Sequence, residues 1–202
     1  MYIDRPLSEY LDDLASKKPT PGGGSAAALT ASIGTSLLSM VANFTIGKPE
    51  YKDVECNVAG ILLEAQKFDS ELRALIDADI DAYKKLVLAL KETHNDSARL
   101  DEFYKSALES PFLVCKISNK CIKLCRDLAE FGNKNLITDT AIAVTLFDAS
   151  FLAARFNVYV NLKNISDTDY IAKIHHVLAP MEEEMPKLRE DILEMCEEII
   201  IS

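Results

Sequence analysis

The sequence predicts an all-α protein, a multi-helix bundle forming one domain over residues 1–202. Three observations predict it. Apolar residues recur at spacings of three and four along most of the chain, with no strand-like alternation. Seven glycines and seven prolines in 202 residues are few for an all-β protein, which needs many turns. A composition of 49% hydrophobic and 27% charged residues supplies a sizeable core and excludes intrinsic disorder. No linker or internal repeat divides the chain.

The elements follow in order. Leu7, Tyr10, Leu11 and Leu14 mark a first helix, and Lys17 to Gly24, with two prolines and three glycines, is a loop. Ser25 stands at the N-cap position of an uncharged helix that Gly47-Lys48-Pro49 ends. Residues Ser25 to Ile46 are long enough to span a bilayer. Eight of these 22 residues are polar and many others are Ala, which describes a helix packed closely by neighbouring helices rather than one facing lipid. From Glu50 to Leu90, the residues Val54, Val58, Ile61, Ala65, Phe68, Leu72, Leu75, Asp79, Ala82 and Leu86 alternate spacings of four and three, a seam of a/d type. Thr93 to Asp96 breaks the pattern and a short polar helix follows. Ser110-Pro111 starts the next helix, with Gly132 as its C′ residue. Thr138 or Asp139 caps a helix reaching about Leu162, and Ser166-Asp167-Thr168-Asp169 reads as a capping box. Pro180 and Pro186 punctuate the start of a last helix.

A formal net charge of −10 draws the chain neither to nucleic acid nor to anionic lipid, so neither is expected as a partner. The five cysteines are odd in number and lack any C-x-x-C pair, which fits thiols in a reducing cytoplasm better than a disulfide framework or zinc ribbon. The N-terminus lacks the apolar stretch of a secretory signal. His175 and His176 diverge on a helix and His94 stands alone, so no metal site is expected. Glu182-Glu183-Glu184 reads as a solvated face.

Asp79 is the most informative single residue, because every earlier position of its seam is apolar. An inward carboxylate must be paired, hydrogen-bonded or protonated, and burial raises its pKa toward the range useful for proton transfer. Asp77 and Asp81 point to other faces and add negative field; alternatively Asp79 ends the seam, solvated or beside a Lys. Pro19-Thr20-Pro21-Gly22-Gly23-Gly24-Ser25 runs into a helix start and can present several N–H groups to a ligand, or serve as a tight turn. It is neither a Walker loop nor a dinucleotide fingerprint. Gly132 to Asp139 offers two amides, a cation and a carboxylate, or simply a C-cap followed by an N-cap. Asn157 and Asn161, four apart on an apolar helix, either bond between helices or face a cleft.

These pieces occur together in order: Pro-Thr-Pro-Gly-Gly-Gly-Ser-Ala-Ala-Ala, Met40 to Gly47, Asp79-x-x-Ala82-Tyr83, Ala129 to Asn135 with Thr138-Asp139, and Asn157 to Leu162. The combination resembles the formiminotetrahydrofolate cyclodeaminase and methenyltetrahydrofolate cyclohydrolase family over most of the chain, from about Leu7 to Ile174. The resemblance implies a helical folate-binding domain, a homodimer, and no metal or redox cofactor. It implies formation of 5,10-methenyltetrahydrofolate from the 5-formimino form with loss of ammonia, or hydrolysis of the methenyl form to 10-formyltetrahydrofolate. In vertebrate bifunctional members a formiminotransferase domain precedes this one, so a separate formiminotransferase is an expected partner. A non-catalytic folate-binding or dimerisation module is the alternative. By resemblance the catalytic carboxylate falls on Asp79, with Asp77 as the competing alignment. Substrate contacts fall on Pro21, Gly22, Gly23, Gly24, Ser25 and Asn43, and on Asn133, Asn135, Asp139 and Asn157. Lys17, Lys18, Lys48 and Lys134 are candidates for the glutamate tail.

Overall fold

Helical periodicity carries through to six α-helices in the computed structural model, which describes residues 1–92 and 97–202 (side chains of residues 97 and 98 excepted). They are α1 (Leu7–Ala15), α2 (Gly23–Thr45), α3 (Glu55–Glu92), α4 (Ser97–Phe131), α5 (Ile137–Leu162) and α6 (Thr168–Ile201). Single 3₁₀ segments occupy Tyr2–Asp4, Pro49–Val54 and Lys134–Leu136, and no strand occurs among the described residues. The break expected at Thr93 to Asp96, and His94 within it, lie outside those residues.

The uncharged α2 is the central helix, packed against α3, α4 and α5. Its Ala27, Ala28 and Ala31 are buried, and such small side chains let neighbouring helices come close. By length and composition both α2 and the segment Lys134–Leu162 could cross a membrane; in the bundle they pack on each other. The α3 seam is buried from Val58 to Leu75 and again at Leu86. Each such side chain contributes roughly 1.5–3 kcal/mol on burial.

Packing overrides several local signals. Pro111 does not start a helix but sits inside α4, and Pro180 and Pro186 sit inside α6. An interior proline costs about 3 kcal/mol. Buried neighbours outweigh it: Leu108, Val114 and Cys115 beside Pro111, and Leu178, Met185 and Leu188 around the other two. Nor do Thr138 and Asp139 cap α5: the helix starts at Ile137 without a side-chain cap. Gly132 does not turn the chain with a positive φ; it lies close against α4, where an added Cβ would be 2.5 Å from the Leu128 carbonyl oxygen. Asp167 does cap α6, accepting the Tyr170 N–H. The glutamate run is not a plain solvated face, since Glu182 accepts from Arg155 and Tyr159, and Glu184 from Asn119.

Candidate active site

The first N–H groups of a helix lack partners inside it, and a side-chain oxygen usually accepts one of them. At the start of α2 the N-cap is Gly22, not Ser25, and it has no side chain to offer. The acceptor arrives instead from α3: Asp79 Oδ2 takes the N–H of Ser25, the third helical residue, at 2.9 Å. Gly24 makes this approach possible, because a Cβ there would lie 2.7 Å from the Asp79 carboxyl carbon. Below the turn Tyr10 of α1 hydrogen-bonds through its hydroxyl to Ser25 Oγ at 3.2 Å, with both residues buried. On the other side α5 touches the turn, with Asn157 Nδ2 3.5 Å from where a Gly23 Cβ would stand. The glycines are therefore wedged between the helix carrying the acid and the helix carrying the amides.

Together they enclose a cavity of about 290 Å³. One wall is Pro19, Thr20 and Gly22 to Gly24; α3 adds Asp79, Tyr83 and Leu86; α5 adds Asn157, Val160 and Asn161, with Ala107 of α4 below. Burial pushes the Asp79 carboxyl up from 3.8 to about 6, against the opposing pull of the Ser25 N–H. Burial, not the negative field of Asp77 and Asp81 expected from the sequence, raises the Asp79 carboxyl. No Lys, Arg or His lines the cavity among the described residues. No group of three His, Cys, Asp or Glu among those residues is placed to hold a metal ion.

The formiminotransferase-cyclodeaminase family model matches residues 6–180. The chain belongs to that family. A methenyltetrahydrofolate cyclohydrolase from Methylorubrum extorquens is 36% identical over 80% of this chain and 81% of its own. The formimidoyltransferase-cyclodeaminase of Mus musculus is 25% identical over 90% of this chain, which spans 35% of that longer protein. A crystal structure of formiminotetrahydrofolate cyclodeaminase from Thermotoga maritima superimposes with a TM-score of 0.93 at 32% identity, covering 99% of this chain and 100% of the other.

Within this family member, the structure gathers Asp79, Gly22, Gly23, Gly24 and Asn157 around one cavity, with Ser25 bonded to the acid. Asp77 is placed elsewhere: its carboxylate accepts the Tyr2 N–H at 3.0 and 3.2 Å and ties down the N-terminal segment. Pro21 is buried beside the cavity without lining it. The asparagine loop does not share the cleft within one chain. Asn133 donates to Thr45 Oγ1 and the Phe44 carbonyl, at the far end of α2 from Gly24. At 1.5 Å per residue the two motifs stand roughly 30 Å apart. Asn135 gives its N–H to Asn133 Oδ1, and Asp139 lies in the first turn of α5. Lys134 is not free for an anionic tail, since its ammonium donates to the Ala129 and Glu130 carbonyls that end α4. Asn43 lines a shallow groove with Met40, Gln66 and Arg73, and Lys48 precedes the 3₁₀ segment at Pro49. Sequence reasoning missed Tyr83 as a cavity residue, although it lies four positions after Asp79 on one helical face. It also missed Tyr10, for which no pattern gives a signal.

Proposed function

We propose that this chain catalyses a one-carbon conversion of tetrahydrofolate, as a cyclodeaminase or a methenyltetrahydrofolate cyclohydrolase, with Asp79 as the proton carrier. The observation that carries the proposal is a carboxyl held at a helix N-terminus inside a cavity, with a pKa near 6. A group so tuned exchanges protons readily near neutral pH. In the hydrolytic direction, water adds to the methenyl carbon and gives a proton to Asp79. The bond from that carbon to N5 then breaks as Asp79 returns the proton to N5 and the added hydroxyl gives up its own proton to solvent, so the cationic methenyl substrate leaves as the neutral 10-formyl product. In the deaminating direction, N10 attacks the formimino carbon and yields its proton to Asp79. That attack closes the ring; the same proton then leaves with ammonia as the C–N bond to it breaks, and the methenyl cation forms. Neither direction changes an oxidation state, so positioning and proton transfer carry the work.

We further propose that the active form is a homodimer. The outer faces of α2 and α5 carry exposed Ile33, Phe44, Ile142, Leu152, Phe156 and Val160, with the Arg155 guanidinium, already paired with Glu182, over the Phe156 ring. Contiguous exposed apolar surface of this kind marks an interface. Two copies related by a two-fold axis with α2 antiparallel would lay the asparagine loop of one subunit beside the glycine turn of the other. That arrangement reunites motifs which one chain holds apart. A separate formiminotransferase would supply the formimino substrate.

The decisive experiment is spectrophotometric hydrolysis of 5,10-methenyltetrahydrofolate, with ammonia release from 5-formiminotetrahydrofolate in parallel. Wild type should accelerate at least one reaction and Asp79→Asn should remove the gain. Wild type matching buffer in both would overturn the proposal.

A further inference from the structure

Asn157 and Asn161 stand one turn apart on α5 and both line the cavity. Each Nδ2 donates to the backbone carbonyl four residues earlier, Asn157 to Ala153 at 3.0 Å and Asn161 to Asn157 at 2.8 Å. A carbonyl oxygen can face only the nitrogen of an amide group, so each amide is oriented with its own oxygen turned away from that partner. Neither Oδ1 receives a hydrogen bond from another described residue. The residues lining the cavity thus carry two amide oxygens free to accept and a carboxylate, with no cation among the described residues lining it.

Such a surface repels an anionic tail and favours a donor-bearing ring with positive charge. Folate one-carbon adducts of both kinds carry a cationic amidinium, and their reduced pterin presents a 2-amino group and an N3–H on one edge. We infer that Asn157 and Asn161 determine specificity by accepting, through Oδ1, from the 2-amino and N3–H donors of the pterin. The ring is thereby fixed in the cavity and the glutamate tail leaves through its mouth. This inference rests on the folate reading above and adds the direction in which the ligand lies.

Titration calorimetry with tetrahydrofolate and with its 2-desamino analogue tests it, since neither ligand turns over. Wild type should bind tetrahydrofolate at least tenfold more tightly than the analogue. Asn157→Leu and Asn161→Leu should each weaken tetrahydrofolate at least tenfold while leaving affinity for the analogue within about threefold of the wild type for at least one of the two. Equal affinities in wild type, or an equal loss for both ligands in both variants, would overturn the inference while leaving the folate reading intact. Binding of neither ligand by wild type would overturn both. Should the variants not fold, the wild-type comparison alone decides.

Discussion

Replacing Gly24 by Ala separates helix propensity from site geometry. Gly24 is the second residue of α2 and has no positive φ. Propensity alone predicts that Ala stabilises the helix, by about 0.5–1 kcal/mol. The structure predicts the opposite. The new Cβ would fall 2.7 Å from the Asp79 carboxyl carbon, about 0.7 Å short of the 3.4 Å at which ordinary contact begins. The carboxylate must withdraw, and the 2.9 Å bond to the Ser25 N–H stretches or breaks. Hydrogen bonds to charged groups contribute about 1.5–3 kcal/mol, so the net change should be a loss of about 1–2 kcal/mol at pH 8. A displacement approaching 1 Å at a reacting group costs about a hundredfold in rate. Urea melts and methenyltetrahydrofolate hydrolysis measure both quantities. Gly60→Ala is the contrast: Gly60 is exposed in α3 with nothing within 4 Å of an added Cβ, and should gain about 0.5–1 kcal/mol. Wild-type turnover in Gly24→Ala would refute the reasoning.

Raising the Asp79 carboxyl from 3.8 to about 6 makes the native state hold the proton more tightly than the unfolded chain. The cost of burying the charge is therefore absent below about pH 4, grows between pH 4 and 6, and is complete above, at about 3 kcal/mol or less. Asp79→Asn should accordingly be more stable than wild type at pH 8 and converge with it near pH 4 in thermal melts, while wild-type kcat/KM should rise through pH 6. Asp101, which accepts the N–H groups of Ser166 and Asp167 at 2.8 and 3.1 Å, holds the turn into α6. Asp101→Ala should cost about 1–3 kcal/mol in urea melts. Phe156→Asp places a carboxylate on the exposed apolar face of α5 and should halve the mass seen in sedimentation equilibrium.

The helices and the inward acid were legible in the chain because both are periodic. Asp79 interrupts a stripe of apolar residues, and only tertiary structure or solvent at a helix end could resolve that interruption. What was not legible depends on forces summed over distance. Pro111, Pro180 and Pro186 read as boundaries because a dipeptide carries no information about buried side chains on either flank. The asparagine loop and glycine turn read as one cleft because sequence order does not record that they sit at opposite ends of α2. Asn157 and Asn161 are ambiguous between core and cleft in the sequence, because only the packing of α5 against Gly23 decides between them.

The two oxygens of Asp79 have unequal tasks. One is moored to the scaffold by the Ser25 N–H, while the other has no tether among the described residues. A carboxyl fastened at one oxygen can neither spin nor drift, so a proton would be handed over from a single atom along a single line. Lengthening the side chain by one carbon, as in Asp79→Glu, would keep the acidity and forfeit that aim.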